Sequence, residues 1–461
     1  MRDSEISSSA VDVGESIDSG PWTGFQKLGV LLAALSILLD GFDGQLIGFA
    51  IPVIIQEWNV TREDFAFVVA AGLIGMGFGS ALAGYVCDRF GRRIAIIGSV
   101  LMFGLATSCI GFAENLVSIA LFRFLAGLGI GGALPSASTI AAELTPRKRR
   151  TLAVSATIVC VPLGGMMAGL YAGYILPAFG WRTLFWLGGL FPAVLSVVLI
   201  VLLPESPRFL VRRRERWDEL RRLLARMSRP VAEGVAFIDV AEQKLEHRAG
   251  LGALFQGDRV RDTLALWAAF FLSLFAVYTA FSWLPAMLAS EGANIAIAAG
   301  GLTAYNLGGV FGALMCAVAI TRFGSRWPIV LCCAGGALSA FVLEGTSVAN
   351  TTLVILGLGL HGLFVNAAQT TMFALSAHVY PTNVRATGTA SAMAFGRLGA
   401  ILSSFAGAAI ITAGGAQAYF GMLGVAMSGV MIALMLVRNH IPRVEPSRAV
   451  PVAVTESLAK S

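Results

Sequence analysis

The sequence has little charge, little histidine and few cysteines for its length. Only 13% of its 461 residues are charged and only four are histidine, whereas about a quarter of the residues of a soluble domain are charged. The six cysteines form no C-x-x-C pair and lie in or beside apolar segments: Cys87, Cys109, Cys160, Cys316, Cys332 and Cys333. These shortages exclude an ordinary soluble domain and predict no metal site, no cofactor and no disulfide framework. An enzyme is not expected either, because histidine, cysteine and carboxylate residues form no cluster in the sequence.

Apolar residues are abundant instead and make up 56% of the chain. Windows of about 20 such residues, the length that crosses a bilayer as a helix, recur along the whole sequence. They predict an all-α membrane protein with twelve transmembrane helices. The predicted spans lie near residues 28–55, 65–87, 94–113, 116–141, 153–178, 183–203, 263–289, 297–320, 328–348, 352–378, 386–413 and 416–437.

Lysine and arginine are distributed unevenly between the loops that join these spans. Alternate loops and the two tails carry 29 of the 33 basic residues, the remaining loops carry only Arg62 and Arg182, and two arginines lie inside spans. The positive-inside rule then puts both termini and the central loop in the cytoplasm of a bacterial-type inner (plasma) membrane. The net charge of +6 follows from this topology, so no nucleic-acid partner is predicted.

The spans divide the chain into five parts. Residues 1–27 form an N-terminal tail, 28–203 a six-helix bundle, 204–262 a central loop, 263–437 a second six-helix bundle and 438–461 a C-terminal tail. The first 26 residues are polar, acidic and rich in serine, which predicts disorder.

The central loop contains one segment with a helical pattern of apolar residues. Trp217, Leu220, Leu224 and Met227 recur at helical spacing, with arginines on the other faces. Two interpretations remain open for this segment: a helix that lies on the anionic membrane surface, or a solvated helix that links the two bundles.

Two loop sequences occur twice in the chain. Residues 88–93 (DRFGRR) match residues 321–326 (TRFGSR), and residues 143–150 match 378–385 in the pattern x-x-x-P-x-x-x-R. Both pairs are separated by nearly the same distance, so the twelve helices are predicted to form two six-helix pseudo-repeats. Transporters built in this way bind substrate near mid-membrane, between the halves.

Asp40 and Asp43 interrupt the first predicted span. An ionised carboxylate near the bilayer centre costs roughly 2.5–3.5 kcal/mol on insertion scales, and a spacing of three residues puts both on one helix face. We expect this face to line a polar cavity and the two carboxylates to bind protons. A structural ion pair with Arg123, at a similar depth in the fourth span, and direct contact with substrate are the alternatives. Arg123 is itself a candidate for substrate binding.

The second half carries its own polar groups near mid-membrane, Arg397 and His361. Arg397 has no acidic residue nearby in its own half, so an anionic substrate would complete the pair, and arginine binds a carboxylate through two hydrogen bonds. Backbone carbonyls could satisfy Arg397 instead, and His361 could equally be a packing residue. Tyr278 and Trp283 are candidates for stacking on a substrate ring, or for helix packing, and Asn306 for binding a hydroxyl group.

Three motifs resemble those of the major facilitator superfamily. They are G-x-x-x-D-R-x-G-R-R at residues 84–93, R-x-x-x-G-x-G-x-G-G at 123–132 and P-E-S-P-R at 204–208. The resemblance covers nearly the whole chain and implies the twelve-helix fold. The second-half loop departs from the first motif, because Thr321 replaces the aspartate.

The same resemblance implies an inner gate at the turn between the second and third spans. Gly84, Asp88 and Arg92 would lock this gate against the other half. Glu143 is expected to join the network through the arginines at 149–150.

Two shorter motifs are similar to those of the aromatic acid/proton symporter family: D-G-F-D at residues 40–43 and S-W-L-P at 282–285. They imply uptake of a small aromatic carboxylate, such as a hydroxybenzoate, together with protons by alternating access. The partners would be this substrate, protons and membrane lipids, with no obligate protein partner. A facilitator of another solute (a non-aromatic acid, a sugar or an exported drug) and a transport-like sensor are the alternative functions.

Overall fold

The computed structural model describes residues 10–240, 251–257, 259–381 and 384–443, so the predicted tails fall partly outside the described residues, at 1–9 and 444–461. Within this part the chain is almost entirely helical. The elements are β1 (Ala10–Asp12), α1 (Val13–Ser19), α2 (Gly24–Trp58), α3 (Arg62–Phe90), α4 (Arg92–Ile110), α5 (Leu116–Leu144), α6 (Arg147–Leu202), α7 (Pro207–Val211), α8 (Trp217–Arg226), β2 (Ala236–Ile238), α9 (Arg259–Ser290), α10 (Ile295–Phe323), α11 (Arg326–Glu344), α12 (Thr351–Val379) and α13 (Arg385–Leu436).

Two of the helices are too long to be single spans. A continuous helix of 56 residues, the length of α6, would measure about 84 Å, nearly three times the thickness of a hydrocarbon core. The backbone leaves helical geometry at Gly180 in α6 (φ 76°) and at Gly414 and Gly415 in α13. The ten long apolar helices of the described residues therefore supply twelve spans, and the prediction of twelve transmembrane helices is confirmed.

Side-chain caps fix where several of these helices begin. Thr23, Thr61 and Asn115 each accept a hydrogen bond from the backbone N–H three residues further on, and the side chain at that third position accepts one from the cap's own backbone N–H. These capping boxes satisfy N–H groups that a helix end otherwise leaves unpaired.

Glycine allows α2 to pack directly on α6. A Cβ atom at Gly41 would overlap the carbonyl oxygen of Val161, and one at Gly164 would overlap the carbonyl oxygen of Leu38. The two backbones can approach this closely only without side chains at these positions. Gly41 lies between the two aspartates of α2, so this contact fixes the direction in which their carboxylates point.

The two halves of the bundle touch at mid-height and toward one end. We call the end at which α2 begins and residues 204–240 lie the basic end, and the other the opposite end. Toward the opposite end, a Cβ atom at Gly48 of α2 would overlap the carbonyl oxygen of Phe281 in α9, and one at Gly169 of α6 would overlap the hydroxyl of Thr303 in α10. The halves are therefore in backbone contact beyond the level of Asp43.

Residues 10–26 of the predicted N-terminal tail have defined structure, so the prediction of disorder is wrong for them. β1 pairs in parallel with β2, and α1 buries Val13 and Ile17 completely. Asp18 forms an ion pair with Arg150, and Arg229 donates to backbone carbonyls at residues 17 and 21. A polar sequence is ordered here because its partners lie in a distant segment, which local composition does not reveal.

The apolar face of α8 is covered by protein. Leu220, Leu224 and the following Met227 are fully buried, and the rings of Trp217 and Phe237 pack edge to face with centroids 5.4 Å apart. A helix that lay on the membrane would leave this face for lipid. The structure therefore favours the interpretation of α8 as a linking helix.

Candidate substrate and proton site

Asp40 and Asp43 are buried in the middle of α2. Asp40 is 7% exposed and Asp43 is fully buried. Oδ1 of Asp40 and both carboxylate oxygens of Asp43 have no hydrogen-bond partner in the described protein. Buried carboxylates are stable only when charges or hydrogen bonds compensate them. Compensation of these two carboxylates therefore depends on the neighbouring cations.

Arg123 of α5 is the cation that interacts with Asp43. The two groups interact electrostatically, and the guanidinium packs over Gly72, where a Cβ atom would lie 3.4 Å from its Nε. Nε and Nη1 of Arg123 have no hydrogen-bond partner in the described protein, so the interaction is a charge attraction without a direct hydrogen bond. Thr107 of α4 lies beside Asp43.

Arg397 of α13 interacts electrostatically with Asp40 across the interface between the halves, without a direct ion pair in the described residues. Its guanidinium donates a hydrogen bond to the hydroxyl of Tyr278 (2.9 Å) and lies 3.5 Å from the sulfur of Met76. An electrostatic interaction links it to Asp40. The sequence offers no acid near Arg397 in the second half. The first half contributes this acid, Asp40.

The four charges, of which Arg397 is half-buried and the other three are buried, therefore form two neutral pairs near the middle of the bundle. Asp43 faces Arg123 within the first half, and Asp40 faces Arg397 between the halves. Because opposite charges are balanced, the site carries no net charge when both carboxylates are ionised. Adding one proton and one monovalent anion would leave that balance unchanged.

Gln45 and Asn306 form a second polar contact between the halves. Gln45 Nε2 donates to Asn306 Oδ1 (3.1 Å) and Asn306 Nδ2 donates to Gln45 Oε1 (2.7 Å). Both side chains are buried, so this reciprocal amide pair is shielded from solvent. Gln45 lies two residues after Asp43 on α2 and points to the other side of the helix, toward the second half.

Aromatic side chains surround this part of the interface. The Tyr278 and Phe281 rings are edge to face at 5.9 Å, and Phe281 and Tyr305 at 6.0 Å. The guanidinium carbon of Arg397 lies 5.8 Å from the centroid of the Tyr278 ring. Arg397 and these rings together form a cationic and aromatic surface.

His361 and Trp283 do not contact Arg397 in the described structure, although the ring of His361 lies 5.9 Å from that of Tyr305. His361 Nδ1 lies 3.0 Å from both Ser339 Oγ and the carbonyl oxygen of Gly336 in α11, so this nitrogen is engaged within the second half. Trp283 is fully buried and packs over Gly407, where a Cβ atom would overlap the indole ring. The structure does not bring either side chain into the contacts of Arg397 given above.

The predicted gate residues cluster at the basic end. Asp88 lies 3.8 Å from Arg92, and Glu143 lies 3.6 Å from the same guanidinium. Glu143 also accepts a hydrogen bond from Ser206. Arg150, which the sequence suggested as a partner of Glu143, instead pairs with Asp18, because the ordered N-terminal segment lies beside it. At Gly84 the backbone is open, with no neighbour near the Cβ position.

Glu205 of the P-E-S-P-R motif caps helix α4 from a distant part of the chain. Its Oε1 accepts from the backbone N–H groups of Arg92 (2.9 Å), Arg93 (3.1 Å) and Ser206 (2.8 Å). Gly91, with φ 100°, leaves the space that this carboxylate fills. Burial raises the pKa of Glu205, while the backbone hydrogen bonds act in the opposite direction. The carboxylate thus supplies the cap that the residue before α4 lacks.

We expect Glu205→Gln to lower the free energy of unfolding by roughly 1–2 kcal/mol, because hydrogen bonds to a charged acceptor become bonds to a neutral amide. Thermal unfolding of the purified protein in detergent measures this change. Glu219→Gln, which removes an exposed acid of a surface ion pair, is the control and should shift stability by less than about 0.5 kcal/mol. Equal stability losses in the two variants would contradict the capping role.

A sequence profile of the Major Facilitator Superfamily matches residues 33–304 and, in a second match, residues 266–459. The chain belongs to the major facilitator superfamily. The resemblance proposed from the loop motifs is therefore confirmed, and so are the all-α fold and its two six-helix repeats.

Several relatives of this facilitator cover most of its length. A 4-hydroxybenzoate transporter from Acinetobacter baylyi is 36% identical over 411 residues, covering 87% of this chain and 89% of that protein. A gallate transporter from Pseudomonas putida is 32% identical over 442 residues, covering 96% and 98%. A solved D-xylose–proton symporter is 20% identical with a TM-score of 0.69, covering 90% of this chain and 97% of that one. The last likeness concerns the fold alone.

Sequence analysis of this facilitator missed three neighbours of the buried charges: Gln45, Thr107 and Met76. Gln45 is a polar residue in an apolar span and lies two positions after Asp43, so its position was a usable signal. Thr107 and Met76 are ordinary residues of a membrane helix, and only the packing of α3 and α4 against α2 and α13 makes them neighbours of the site.

Proposed function

We propose that this facilitator takes up a small aromatic carboxylate, such as a hydroxybenzoate, together with protons across a bacterial inner (plasma) membrane by alternating access. In this proposal both termini and residues 204–262 lie in the cytoplasm, as the basic side chains of these segments favour. The names of the two relatives, a 4-hydroxybenzoate transporter and a gallate transporter, support this substrate class.

The observation that carries the proposal is that Arg397 interacts electrostatically with an acid of the other half and lies beside an aromatic ring. A substrate carboxylate would replace Asp40 as the partner of Arg397, and the ring of Tyr278 beside the guanidinium would stack on the substrate ring. Arginine suits this role because its planar fork binds a carboxylate through two hydrogen bonds.

Proton coupling follows because Asp40 and the substrate carboxylate compete for Arg397. A proton on Asp40 removes the negative charge that Arg397 faces and leaves the guanidinium to the substrate carboxylate. Proton and anion therefore bind together, and the site stays neutral in both the empty and the loaded carrier. Asp43, facing Arg123, is the second proposed proton site, and Arg123 would become available when Asp43 is protonated.

An anion that enters a negative-inside cell works against about 2.3 kcal/mol per 100 mV. Symport with one proton cancels the charge of a monocarboxylate, and the proton gradient then supplies the drive. The proposed gate at the basic end consists of Gly84, Asp88, Arg92 and Glu143. Arg92 pairs with Asp88 and with Glu143, and these ion pairs couple α3, α4 and α5 at the point where the halves would close.

Uptake into proteoliposomes tests the function directly. Purified protein is reconstituted and supplied with labelled 4-hydroxybenzoate under an imposed inward proton gradient. We expect accumulation that collapses on addition of an uncoupler, whereas labelled xylose should not accumulate. Accumulation that persists at full extent with the uncoupler, or preference for the sugar, would refute the proposal.

Asn306 is proposed to bind the ring hydroxyl of the substrate by opening its contact with Gln45. Asn306→Leu should then weaken binding of 4-hydroxybenzoate by up to about tenfold, the value of one neutral hydrogen bond, while benzoate binds as in the wild type. Isothermal titration with the two acids provides the comparison. Equal losses for both acids would mean that the amide pair serves only to hold the halves together.

A further inference from the structure

A large cavity lies between the halves at the opposite end, far from the buried charges. It has a volume of about 640 Å³ and is bordered by the last turns of α2 and α9 and the first turns of α3 and α10; its lining includes Pro52, Gln56, Arg62, Pro177, Ala289 and Asn294. We call it the opposite-end cavity. Its volume falls within the range of small-molecule pockets, about 300–1,000 Å³.

Arg62 is the one ionisable residue among those that line the opposite-end cavity. Within the described part of the chain it makes neither an ion pair nor a side-chain hydrogen bond. Of the acids near it in sequence, Asp64 accepts from Thr61 and Glu57 pairs with Arg182. Glu63, the next residue, is exposed and does not line the cavity. The lining therefore combines an apolar wall with one charge, which is positive, and this suits an amphipathic anion.

The opposite-end cavity is separate from the central charges. Gln56 lies thirteen residues beyond Asp43 on α2, a distance of about 20 Å along the helix. Between these levels the backbone contact of Gly48 with Phe281 and the Gln45–Asn306 amide pair close the interface. A molecule in the cavity would thus be held apart from Arg397 until the halves rearrange.

We propose that the opposite-end cavity is a second binding site, at which a small aromatic monocarboxylate pairs with Arg62 before it reaches the centre. This inference rests on the proposed function and orientation, since the cavity faces the outside only if the basic end is cytoplasmic. The carboxylate is attracted by Arg62, and the ring lies against the apolar side chains of α2 and α9.

Binding is tested by ligand-observed NMR with 4-hydroxybenzoate in variants that isolate each site. Arg397→Gln disables the central site and should retain weak, saturable binding. The double variant Arg62→Gln/Arg397→Gln should lose it, and Arg62→Lys/Arg397→Gln should keep it. Ala289→Phe in the Arg397→Gln background, which fills the cavity without changing charge, should lose it as well. Binding that survives in both the Arg62→Gln and the Ala289→Phe backgrounds overturns the proposal.

Transport kinetics separate this inference from the proposed function. In the otherwise wild-type protein, Arg62→Gln should raise the KM of uptake roughly two- to fivefold, the scale of one partly exposed charge pair, and should weaken the dependence of KM on ionic strength. Arg322→Gln, which removes a cation at the basic end, should leave KM unchanged. Absence of uptake by the wild type refutes the proposed function, whereas normal uptake with the same KM in Arg62→Gln refutes the second site.

Discussion

Asp40→Asn is expected to abolish proton-driven accumulation of the aromatic acid while preserving its binding and its exchange across the membrane. Asparagine resembles a permanently protonated aspartate, so Arg397 stays available to the substrate carboxylate. The loaded carrier is then neutral and can reorient. The empty carrier, by contrast, contains the half-buried Arg397 without its acid.

The expected size of this effect follows from the cost of an unpaired buried charge. Removing one member of a fully buried ion pair costs about 3–5 kcal/mol. Because Arg397 is half-buried, we use the lower end of this range, and each 1.36 kcal/mol of barrier is tenfold in rate. Return of the empty carrier should therefore slow by roughly a hundredfold or more, and net accumulation should fall to background. Exchange of labelled for unlabelled substrate, which never requires the empty carrier to return, should continue.

The pH dependence of binding provides the second measurement on Asp40→Asn. In the wild type the substrate should bind more tightly as pH falls, because a protonated Asp40 no longer competes for Arg397. In Asp40→Asn the affinity for the substrate should not depend on pH through this competition. Asp43→Asn is the matched comparison: it makes the same substitution three residues away, and it should reduce accumulation while keeping the pH dependence of binding. If the affinity were independent of pH in Asp43→Asn but depended on pH as in the wild type in Asp40→Asn, Asp43 rather than Asp40 would be the acid that competes with the substrate.

Most of the fold could be predicted from the sequence because its signals are local. A hydrophobic window reports burial in lipid directly, and the repeat of residues 88–93 at 321–326 reports the symmetry of the two halves. The breaks within α6 and α13 also follow local chemistry, since Gly180 and Gly415 adopt positive φ, a conformation that other residues rarely tolerate.

The partners of the charged residues could not be predicted in the same way. Asp40 and Arg397 lie in different halves, and their meeting depends on how α2 and α13 are rotated, which spacing within one helix does not determine. Depth alone suggested Arg123 as the partner of the aspartates, and it could not suggest Arg397 for Asp40. Likewise, Arg150 is close to Glu143 in sequence, but it forms an ion pair with Asp18 because α1 packs beside it.

The proposed mechanism depends on charge balance more than on any single contact. The empty carrier pairs Asp40 with Arg397, and the loaded carrier pairs Arg397 with the substrate and neutralises Asp40 with a proton. A carrier with only the proton or only the substrate would bear a net charge at mid-membrane, which costs several kcal/mol. Such partly loaded forms should reorient slowly, and this difference in rate is what couples the two fluxes.

Arg397→Gln is expected to remove substrate binding at the central site. Losing one member of a buried, hydrogen-bonded charge pair costs about 2–5 kcal/mol, or roughly thirtyfold or more in Kd, because the substrate carboxylate then has no cation and Asp40 is left unpaired. Arg397→Lys keeps the charge but lacks the planar fork, so its affinity should lie between those of the wild type and Arg397→Gln. Isothermal titration with 4-hydroxybenzoate measures all three.

The double variant Asp40→Asn/Arg397→Gln distinguishes loss of binding from loss of folding. It removes both members of the pair, so no buried charge is left without its partner and thermal stability should recover relative to Arg397→Gln. Substrate binding should not recover, because no cation has been restored. Arg123→Gln provides the comparison at the other membrane arginine. If that variant lost more affinity than Arg397→Gln, the carboxylate would belong to the first half, and the exchange between Asp40 and substrate at Arg397 would be ruled out.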